Sequence, residues 1–266
     1  MRQSLRQGSS EYLKLLGLRR YHYLAWPRIS STRLVLLHGR GECADIWTAF
    51  AGRLASSADT LAVDLRGHGG TPWDPDAHYE LDDFVDDLCL QIRHWNRPSV
   101  LIGHGLGAQI AMRGTQKLGD LVKAVVVIDP EDGDGETDTL IEILAAAAVS
   151  GGATNSRMYG DALWEKLYRD MTWAQPSRGR TAKCDPAVLD RLPAMSQSGR
   201  VSSLSQTALV IASGYSGHRA TALSGDLKET LPYGRIVNVP SGAWPHVRSP
   251  AETAEVVLRF VRGLAQ

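Results

Sequence analysis

The chain has 266 residues, of which 43% are hydrophobic and 22% are charged, and its formal net charge is zero. This length suits one domain with a full hydrophobic core and an insertion. The balanced charge predicts no basic face for nucleic acid or for an acidic membrane surface, so we expect a small neutral or weakly charged ligand instead.

The three cysteines, Cys43, Cys89 and Cys184, lie far apart and show no metal-binding spacing. Their odd number and wide separation favour a reducing compartment. The N-terminal region contains arginines but no continuous apolar segment, and no apolar run is long enough to span a bilayer. We therefore expect a cytoplasmic protein without a metal, a cofactor or a membrane contact, and we leave homodimer formation open.

The first predicted elements are β-strands. The pattern over Glu11–Trp26 predicts two short strands joined by a turn at Gly17. The apolar, β-rich segment Thr32–Leu37 predicts a buried strand that ends in the glycine-rich loop His38–Glu42. A loop of this kind leaves backbone N–H groups free for a ligand.

Strands and helices then alternate along the chain. Near-continuous apolar strands between amphipathic helices predict a parallel sheet that is covered on both faces. The predicted strands are Thr60–Leu65, Ser99–Gly103 and Leu121–Ile128, and the first two helices are Ile46–Leu54 and Leu81–Ile92.

Residues 131–205 interrupt this alternation, because they contain no strand pattern of comparable quality. Helical patterns occur here at Thr139–Val149, Ala162–Met171 and Ala187–Leu192. We predict a helical cap inserted into a core that is formed by residues 10–130 and 206–266.

The core resumes after the insertion. Ala208–Ala212 and Arg235–Val239 predict two further strands, and the apolar spacing in Ala251–Leu264 predicts a closing helix.

The stretch Ser99–Ala111 carries the most informative motif. Its apolar strand ends at a turn with Gly103, Gly105 and Gly107 and continues as a helical pattern, which is the arrangement of the nucleophile elbow Gly-x-Ser-x-Gly. Gly105 occupies the nucleophile position and has no side chain with which to attack. The nucleophile of such a turn adopts a strained positive φ that glycine tolerates freely. The motif therefore predicts the scaffold of nucleophilic catalysis without its nucleophile.

Three motifs together resemble the α/β-hydrolase superfamily, and the resemblance extends from Gly17 to the end of the chain. Leu36–Gly39 followed by Trp47 is similar to the oxyanion loop of that family. Asp64–Gly69 is similar to its loop after the fourth strand, and Gly103–Gly107 to its elbow. The resemblance implies an α/β fold with a mostly parallel eight-stranded sheet, helices on both faces and a helical cap over the active site.

The resemblance also implies a nucleophile, an acid and a histidine, in that chain order. The segment Ser213–Gly217 after the strand Ala208–Ala212 contains no carboxylate, although Asp129 occupies an alternative acid position after the preceding strand. Counting back from Pro250 places Ala243 at the histidine position. His246 matches a second histidine that many relatives carry. Whether Asp129 is an acid or a structural turn, and whether His246 is a base, stays open.

Other groups near the elbow could replace the triad. Arg40 and Glu42 would either clamp a substrate acid and move a proton or form a solvent-facing ion pair. We expect His104 to be a core histidine rather than a base. The N–H groups of Leu106 and of the chain near Arg40 should still form an oxyanion hole above Gly105, since that geometry does not depend on the lost hydroxyl.

Aromatic residues follow the elbow in the sequence. They are predicted to pack in the core, and over a pocket they would also bind a planar or hydrophobic ligand. These candidate substrate-binding residues are Trp164, Tyr168, Trp173 and Trp244.

These observations favour an enzyme that catalyses a reaction other than ester hydrolysis, such as a lyase, cyclase, isomerase or cofactor-free oxygenase. It would act on a hydrophobic carbonyl compound through a retained oxyanion hole, with Arg40, Glu42 or His246 moving protons. The first alternative is a non-catalytic protein that binds a small molecule or a partner. The second is a hydrolase with a relocated pair, for instance Asp129 with His246 activating water.

Overall fold

The computed structural model describes residues 7–15, 19–129, 166–167, 169–175, 179–191, 203–213, 231, 233–241 and 244–264. The strands in these residues are β1 (Ser9–Lys14), β2 (Arg20–Trp26), β3 (Arg33–Leu37), β4 (Asp59–Val63), β5 (Ser99–His104), β6 (Val122–Ile128), β7 (Thr172–Gln175), β8 (Gly179–Ala182), β9 (Thr207–Ala212) and β10 (Gly234–Asn238).

The α-helices in the same ranges are α1 (Thr48–Leu54), α2 (Leu81–Trp95), α3 (Leu106–Leu118), α4 (Pro186–Arg191), α5 (Pro245–Arg248) and α6 (Pro250–Gly263). Short 3₁₀ turns cover Ala44–Trp47 and Gly119–Leu121. Among these helices, none has both the length and the apolar character that crossing a bilayer requires.

Eight strands form one sheet in the order β1-β2-β4-β3-β5-β6-β9-β10. The pairs β1/β2 and β2/β4 are antiparallel, and the pairs from β4 to β10 are parallel. The predicted mostly parallel eight-stranded sheet is thereby confirmed. Its parallel part follows from the apolar strands, since side chains on both faces are buried.

The strand β3 shows how the two faces are covered. Val35 and Leu37 belong to one buried apolar cluster, whereas Leu34 and Leu36 belong to a second cluster on the other face. Successive side chains of a strand point to opposite faces, so one short segment contributes to both cores. At about 25 cal/mol per Å² of buried apolar surface, such fully buried strands supply much of the folding free energy.

The inserted segment differs from the prediction in its described part. β7 and β8 pair antiparallel there, with Thr172 opposite Ala182, while α4 lies where a helix was expected. The expectation that this segment contains helices alone is therefore wrong. Strands of four residues are too short for their pattern to be separated from helix by periodicity. The predicted helix Thr139–Val149 lies outside the described residues.

The strand order brings distant loops to one edge of the sheet. β3 and β5 are parallel neighbours, with Leu37 opposite Gly103, so the loop after β3 and the turn after β5 emerge side by side. β6 lies next to β5 and ends before Asp129, and β10 leads towards Trp244. Ligands of open α/β sheets bind at the carboxyl ends of the strands, and this edge is where a site is expected.

Candidate active site at the carboxyl ends of the strands

Gly105 forms the sharp turn between β5 and α3. Its φ is 52° and its ψ is −119°, in a region that favours glycine. The turn is tight, because a Cβ built on Gly103 would lie 2.1 Å from the carbonyl oxygen of Gly107. The elbow geometry is thus present, and no hydroxyl, thiol or carboxylate stands at its apex.

Glu42 lies beside the elbow, and its carboxylate is buried and fully hydrogen-bonded. Its residue is 1% exposed. Oε1 accepts a hydrogen bond from Trp244 Nε1 at 2.7 Å, and Oε2 accepts one from the backbone N–H of Gly39 at 2.7 Å. His104 Nδ1 is 3.1 Å from Oε1 and 3.3 Å from Oε2. The oxyanion loop therefore places a carboxylate against the imidazole that precedes Gly105.

The charge state of Glu42 follows from these contacts. Burial alone would raise the pKa of its carboxyl, but the neighbouring imidazoles of His104 and His246 and the N–H donors outweigh burial and lower the pKa to about 2. Glu42 is consequently ionised at neutral pH and has only acceptors to offer. The proton between the two groups therefore lies on His104 Nδ1, because an ionised carboxylate can only accept a hydrogen bond.

His246 lies beside His104, and its contacts are unusual for a buried histidine. It is 0% exposed, and neither ring nitrogen has a hydrogen-bond partner within the described part of the chain. Its ring centroid lies 4.2 Å from that of Trp47 and 4.6 Å from that of His104. Burial and the adjacent His104 hold the pKa of His246 well below its usual value, so the ring is neutral. An unsatisfied buried polar group costs about 1–3 kcal/mol, and such groups commonly mark functional sites.

The carboxylate of Glu42 and the imidazoles of His104 and His246 are groups that can bind a divalent metal. Glu42, His104 and His246 each offer a ligand atom, and these atoms lie within 4.8 Å of one another. However, both oxygens of Glu42 already accept N–H bonds from Trp244 and Gly39. A hydrogen-bonded acid–base group accounts for these contacts without a metal, and only His246 is left without a polar partner in the cluster.

The structure corrects two expectations about the triad replacement. The solvent-facing ion pair of Arg40 and Glu42 is wrong for Glu42, because that carboxylate is buried against Trp244 and His104, while Arg40 is half-buried. The relocated pair of Asp129 with His246 is also wrong, since the His246 nitrogens accept and donate no hydrogen bond there.

Asp129 instead stabilises a turn. Its Oδ1 accepts a hydrogen bond from the backbone N–H of Ser213 at 2.9 Å, and its φ is 38°. Burial raises the pKa of Asp129, with His104 acting in the opposite direction. This hydrogen bond joins the ends of β6 and β9 and so has a structural role.

The predicted aromatic residues have separate roles. Trp244 is buried, adopts a left-handed conformation with φ 57°, and supports Glu42 rather than facing a ligand through its N–H. Trp173 is 50% exposed, and Lys183 Nζ lies 4.5 Å from its ring centroid. A surface cation–π contact accounts for Trp173. Trp164 and Tyr168 lie outside the described residues.

Sequence reasoning missed His104 as the partner of Glu42, because histidines at this position were expected to pack in the core. The sequence contains a signal for this contact, because one apolar strand ends just before His38 and another ends at His104. Had β3 and β5 been placed side by side, a carboxylate in the loop after β3 would have fallen next to the residue before Gly105.

A mostly parallel sheet in which one strand turns sharply into a helix at a glycine-framed elbow is the architecture of an α/β-hydrolase fold. A sequence model of the "Alpha/beta hydrolase family" matches residues 34–256. The chain therefore belongs to the α/β-hydrolase family.

Several relatives share this fold and carry hydrolase names. The chain is 36% identical over 101 residues to 2-(acetamidomethylene)succinate hydrolase of Mesorhizobium japonicum, which covers 38% of this chain and 36% of that protein. It is 26% identical over 242 residues to esterase YbfF of Escherichia coli, covering 88% of this chain and 92% of that protein. The first alignment thus spans only about a third of its relative.

Solved structures support the fold over nearly the whole chain. A marine microorganism esterase superposes with a TM-score of 0.77 at 20% identity, covering 95% of this chain and 100% of that one. The crystal structure of E-2-(acetamidomethylene)succinate hydrolase gives a TM-score of 0.76 at 22% identity, covering 96% and 99%. At these identities the similarity establishes the fold alone, because one fold hosts many reactions.

Proposed function

We propose that this chain is an acid–base enzyme that acts on a hydrophobic carbonyl compound without forming an acyl-enzyme. His104 is the base, and Glu42 orients it. The observation that carries the proposal is the hydrogen bond between the buried Glu42 carboxylate and His104 Nδ1, directly beside a glycine elbow. A carboxylate that holds an imidazole in this way sets its tautomer and stabilises its cation after proton transfer.

The proton would move to His104 Nε2, the nitrogen that Glu42 does not contact. Negative charge would then develop on the carbonyl oxygen of the substrate. The first N–H groups of a helix have no intrahelical partner, and the positive end of the helix dipole favours an anion there. Leu106 N–H at the start of α3, with the N–H of Arg40 in the facing loop, would stabilise that oxygen.

His246 would contribute a polar contact to the bound substrate. Its ring is neutral and buried beside His104, and its nitrogens have one donor and one acceptor to give. A hydroxyl, carbonyl or carboxyl group of the substrate that reached this ring would remove its unsatisfied state. We assign His246 to substrate binding for this reason.

Removal of a proton from the carbon next to the carbonyl is the reaction that requires the fewest groups. It needs a base and an oxyanion stabiliser, whereas ester cleavage through an acyl-enzyme needs a nucleophile that Gly105 does not supply. An isomerase or lyase therefore suits the site. The names of the relatives favour a second candidate, hydrolysis by a water molecule that His104 activates.

The two candidates are separated by following both reactions in one protein. Deuterium uptake at the α-carbon of phenylacetone in D₂O reports proton abstraction, and release of p-nitrophenol from p-nitrophenyl butyrate reports hydrolysis. We expect His104→Gln to lower the active reaction by about 10²–10⁴-fold, the usual contribution of a general base. His94→Gln, on the exposed face of α2, is the matched control and should change the rate less than twofold.

Each outcome assigns a class. Exchange without ester cleavage supports the isomerase or lyase reaction, and ester cleavage without exchange supports water activation when His104→Gln abolishes that cleavage. Rates in the wild-type chain that equal those in buffer favour a non-catalytic binding protein. Equal rates in the wild-type chain and in His104→Gln contradict His104 as the base.

A further inference from the structure

A second carboxylate–imidazole pair lies at the edge of the sheet, away from the elbow. His22 Nδ1 is 2.6 Å from Asp64 Oδ2, and His22 Nε2 is 2.9 Å from the hydroxyl oxygen of Ser10. Ser10 is on β1, His22 is on β2 and Asp64 directly follows β4. A hydroxyl, an imidazole and a carboxylate are therefore joined in one hydrogen-bonded chain.

The sheet register produces this arrangement. In the antiparallel pair of β1 and β2, Tyr12 is opposite His22, so Ser10 lies two residues along on the same face. β2 also pairs antiparallel with β4, and the backbone N–H of Asp64 donates to the carbonyl oxygen of His22 at 2.9 Å. The three side chains are thus positioned by regular strand pairing.

The hydrogen bonds of Asp64 determine where the protons lie. Oδ1 accepts the backbone N–H of Ala44 at 2.6 Å, and Oδ2 accepts that of Gly70 at 2.8 Å. Burial raises the pKa of Asp64, but the bond from His22 and the other donors outweigh it and lower the pKa overall. An ionised Asp64 accepts from His22 Nδ1–H, and in the neutral form of the ring this leaves His22 Nε2 to accept from the Ser10 hydroxyl. This is the proton order of a Ser-His-Asp triad.

The hydroxyl end of this chain is open to solvent, and the acid end is not. Ser10 is exposed, whereas the side chains of His22 and Asp64 are 12% and 3% exposed. β1 is the edge strand of the sheet, and on an edge strand alternate backbone N–H groups point away from the neighbouring strand. We expect an oxyanion formed at Ser10 to accept a hydrogen bond from such an outward N–H group.

The neighbouring surface favours an aromatic substrate. Tyr12 is 44% exposed on the same strand, and the guanidinium carbon of Arg20 lies 4.1 Å from its ring centroid. Tyr12 also lies against His22, with ring centroids 5.0 Å apart, so an aryl leaving group would contact the exposed edge of Tyr12 and Arg20 would attract its developing negative charge.

We propose that Ser10, His22 and Asp64 form a second nucleophilic site that accepts activated aryl esters and organophosphonates. The Ser10 oxygen forms a bond to the acyl carbon while its proton passes to His22 Nε2. The bond from that carbon to the aryl oxygen breaks, and the phenol leaves with the proton from His22. Water then releases the acyl group by the reverse sequence and restores the hydroxyl.

A fluorophosphonate probe tests this site directly, because Ser10 would form an O–P bond as fluoride leaves and His22 takes the proton. Trypsin should release the labelled residue in the peptide from Gln7 to Lys14, which also contains Ser9. Ser9 bonds to the carbonyl of Ala25 and lies outside the chain of three groups. Ser9→Ala is therefore the matched control.

We expect one label per wild-type chain on Ser10, no label on this peptide in Ser10→Ala, and an unchanged labelling rate in Ser9→Ala. His22→Gln should lower the rate about 10²-fold, the lower end of a general-base contribution. Ser10→Ala changes only an exposed side chain, so its result does not depend on the folding of the His22 variant. An unlabelled wild-type peptide, or equal labelling of Ser10→Ala and wild type, overturns the proposal.

Discussion

The elbow and the sheet edge carry similar acid–imidazole pairs and differ in what lies next to the imidazole. At the elbow, Glu42 holds His104 beside Gly105, which has no side chain. At the edge, Asp64 holds His22 beside the hydroxyl of Ser10. The elbow is therefore suited to moving a proton on a bound molecule, whereas the edge is suited to activating a nucleophile.

The two carboxylates also share a structural task, which explains why both are buried. Glu42 accepts the N–H of Gly39, and Asp64 accepts the N–H groups of Ala44 and Gly70, so each carboxylate organises a loop at the carboxyl ends of the strands. The pairing with an imidazole is built on a carboxylate that the fold already needs. Removing either carboxylate should affect stability as well as chemistry.

The substitution Glu42→Ala tests whether this carboxylate stabilises the folded chain. Glu42→Ala leaves Trp244 Nε1, the Gly39 N–H and His104 Nδ1 without their acceptor. A buried donor left without its acceptor costs about 1–3 kcal/mol, so with three such donors we expect a loss of about 3 kcal/mol or more in urea unfolding. Glu255→Ala removes a half-exposed carboxylate on α6 and should cost less than about 0.5 kcal/mol. A loss below about 1 kcal/mol for Glu42→Ala would show that the carboxylate has no structural task.

Trp244→Phe affects the elbow pair alone. It keeps an aromatic ring but removes the N–H that donates to Glu42 at 2.7 Å. Hydrogen bonds to charged groups contribute about 1.5–3 kcal/mol, so the midpoint of urea unfolding should fall by a corresponding amount. The nucleophilic labelling of Ser10 should not change. A change in that labelling would mean that the two pairs are coupled.

The substitution Gly105→Ser places a hydroxyl at the elbow, as Ser10 does at the edge of the sheet. The left-handed φ of 52° strains a side-chain-bearing residue, and we expect a loss of about 1–3 kcal/mol. Stopped-flow assays with p-nitrophenyl acetate should show no burst from this residue, because His104 Nδ1 is held by Glu42 and counting along the sequence predicts Ala243 at the family's histidine position. A stoichiometric burst that is absent from the wild-type chain would contradict this account.

A pH dependence extends the comparison to the other buried imidazoles. Burial lowers the pKa of His68 to about 3, so the unfolded chain takes up this proton first as the pH falls below the ordinary value of 6.5. The free energy of unfolding should decline between pH 6.5 and 3 for this reason. Glu42, with a pKa near 2 against an ordinary 4.5, adds a decline between those two values.

Urea unfolding at a series of pH values measures both declines. His68→Gln should reduce the slope of the profile above pH 4.5, where Glu42 does not yet contribute and the lowered pKa of His246 accounts for part of the remaining decline. A profile that stays unchanged in this variant would show that His68 is not the neutral buried group assumed here.

Most of the fold could be predicted because its signals are local. Each parallel strand is an apolar segment bounded by a loop, and the elbow glycines mark one turn. β7 and β8 were missed because four residues carry no clear period. The family's catalytic positions are predicted by counting along the chain, which places Gly105 at the nucleophile position and Ala243 at the histidine position.

The side-chain pairs could not be predicted in the same way, since they depend on strand order and register. Glu42 meets His104 because β3 and β5 are neighbours, and Ser10 meets His22 because of the β1/β2 register. The orientation of His246 depends on the left-handed backbone of Trp244, which no local pattern indicates.

The central claim is that Glu42 holds a proton on His104 Nδ1 and leaves Nε2 as the base. A long-range ¹H–¹⁵N spectrum of the imidazole side chains at neutral pH tests it most directly in the wild-type chain and in Glu42→Gln. We expect the His104 proton on Nδ1 in the wild-type chain and a shift of that signal in Glu42→Gln, with the His94 signals unchanged. A wild-type His104 that carries its proton on Nε2 alone would contradict the account.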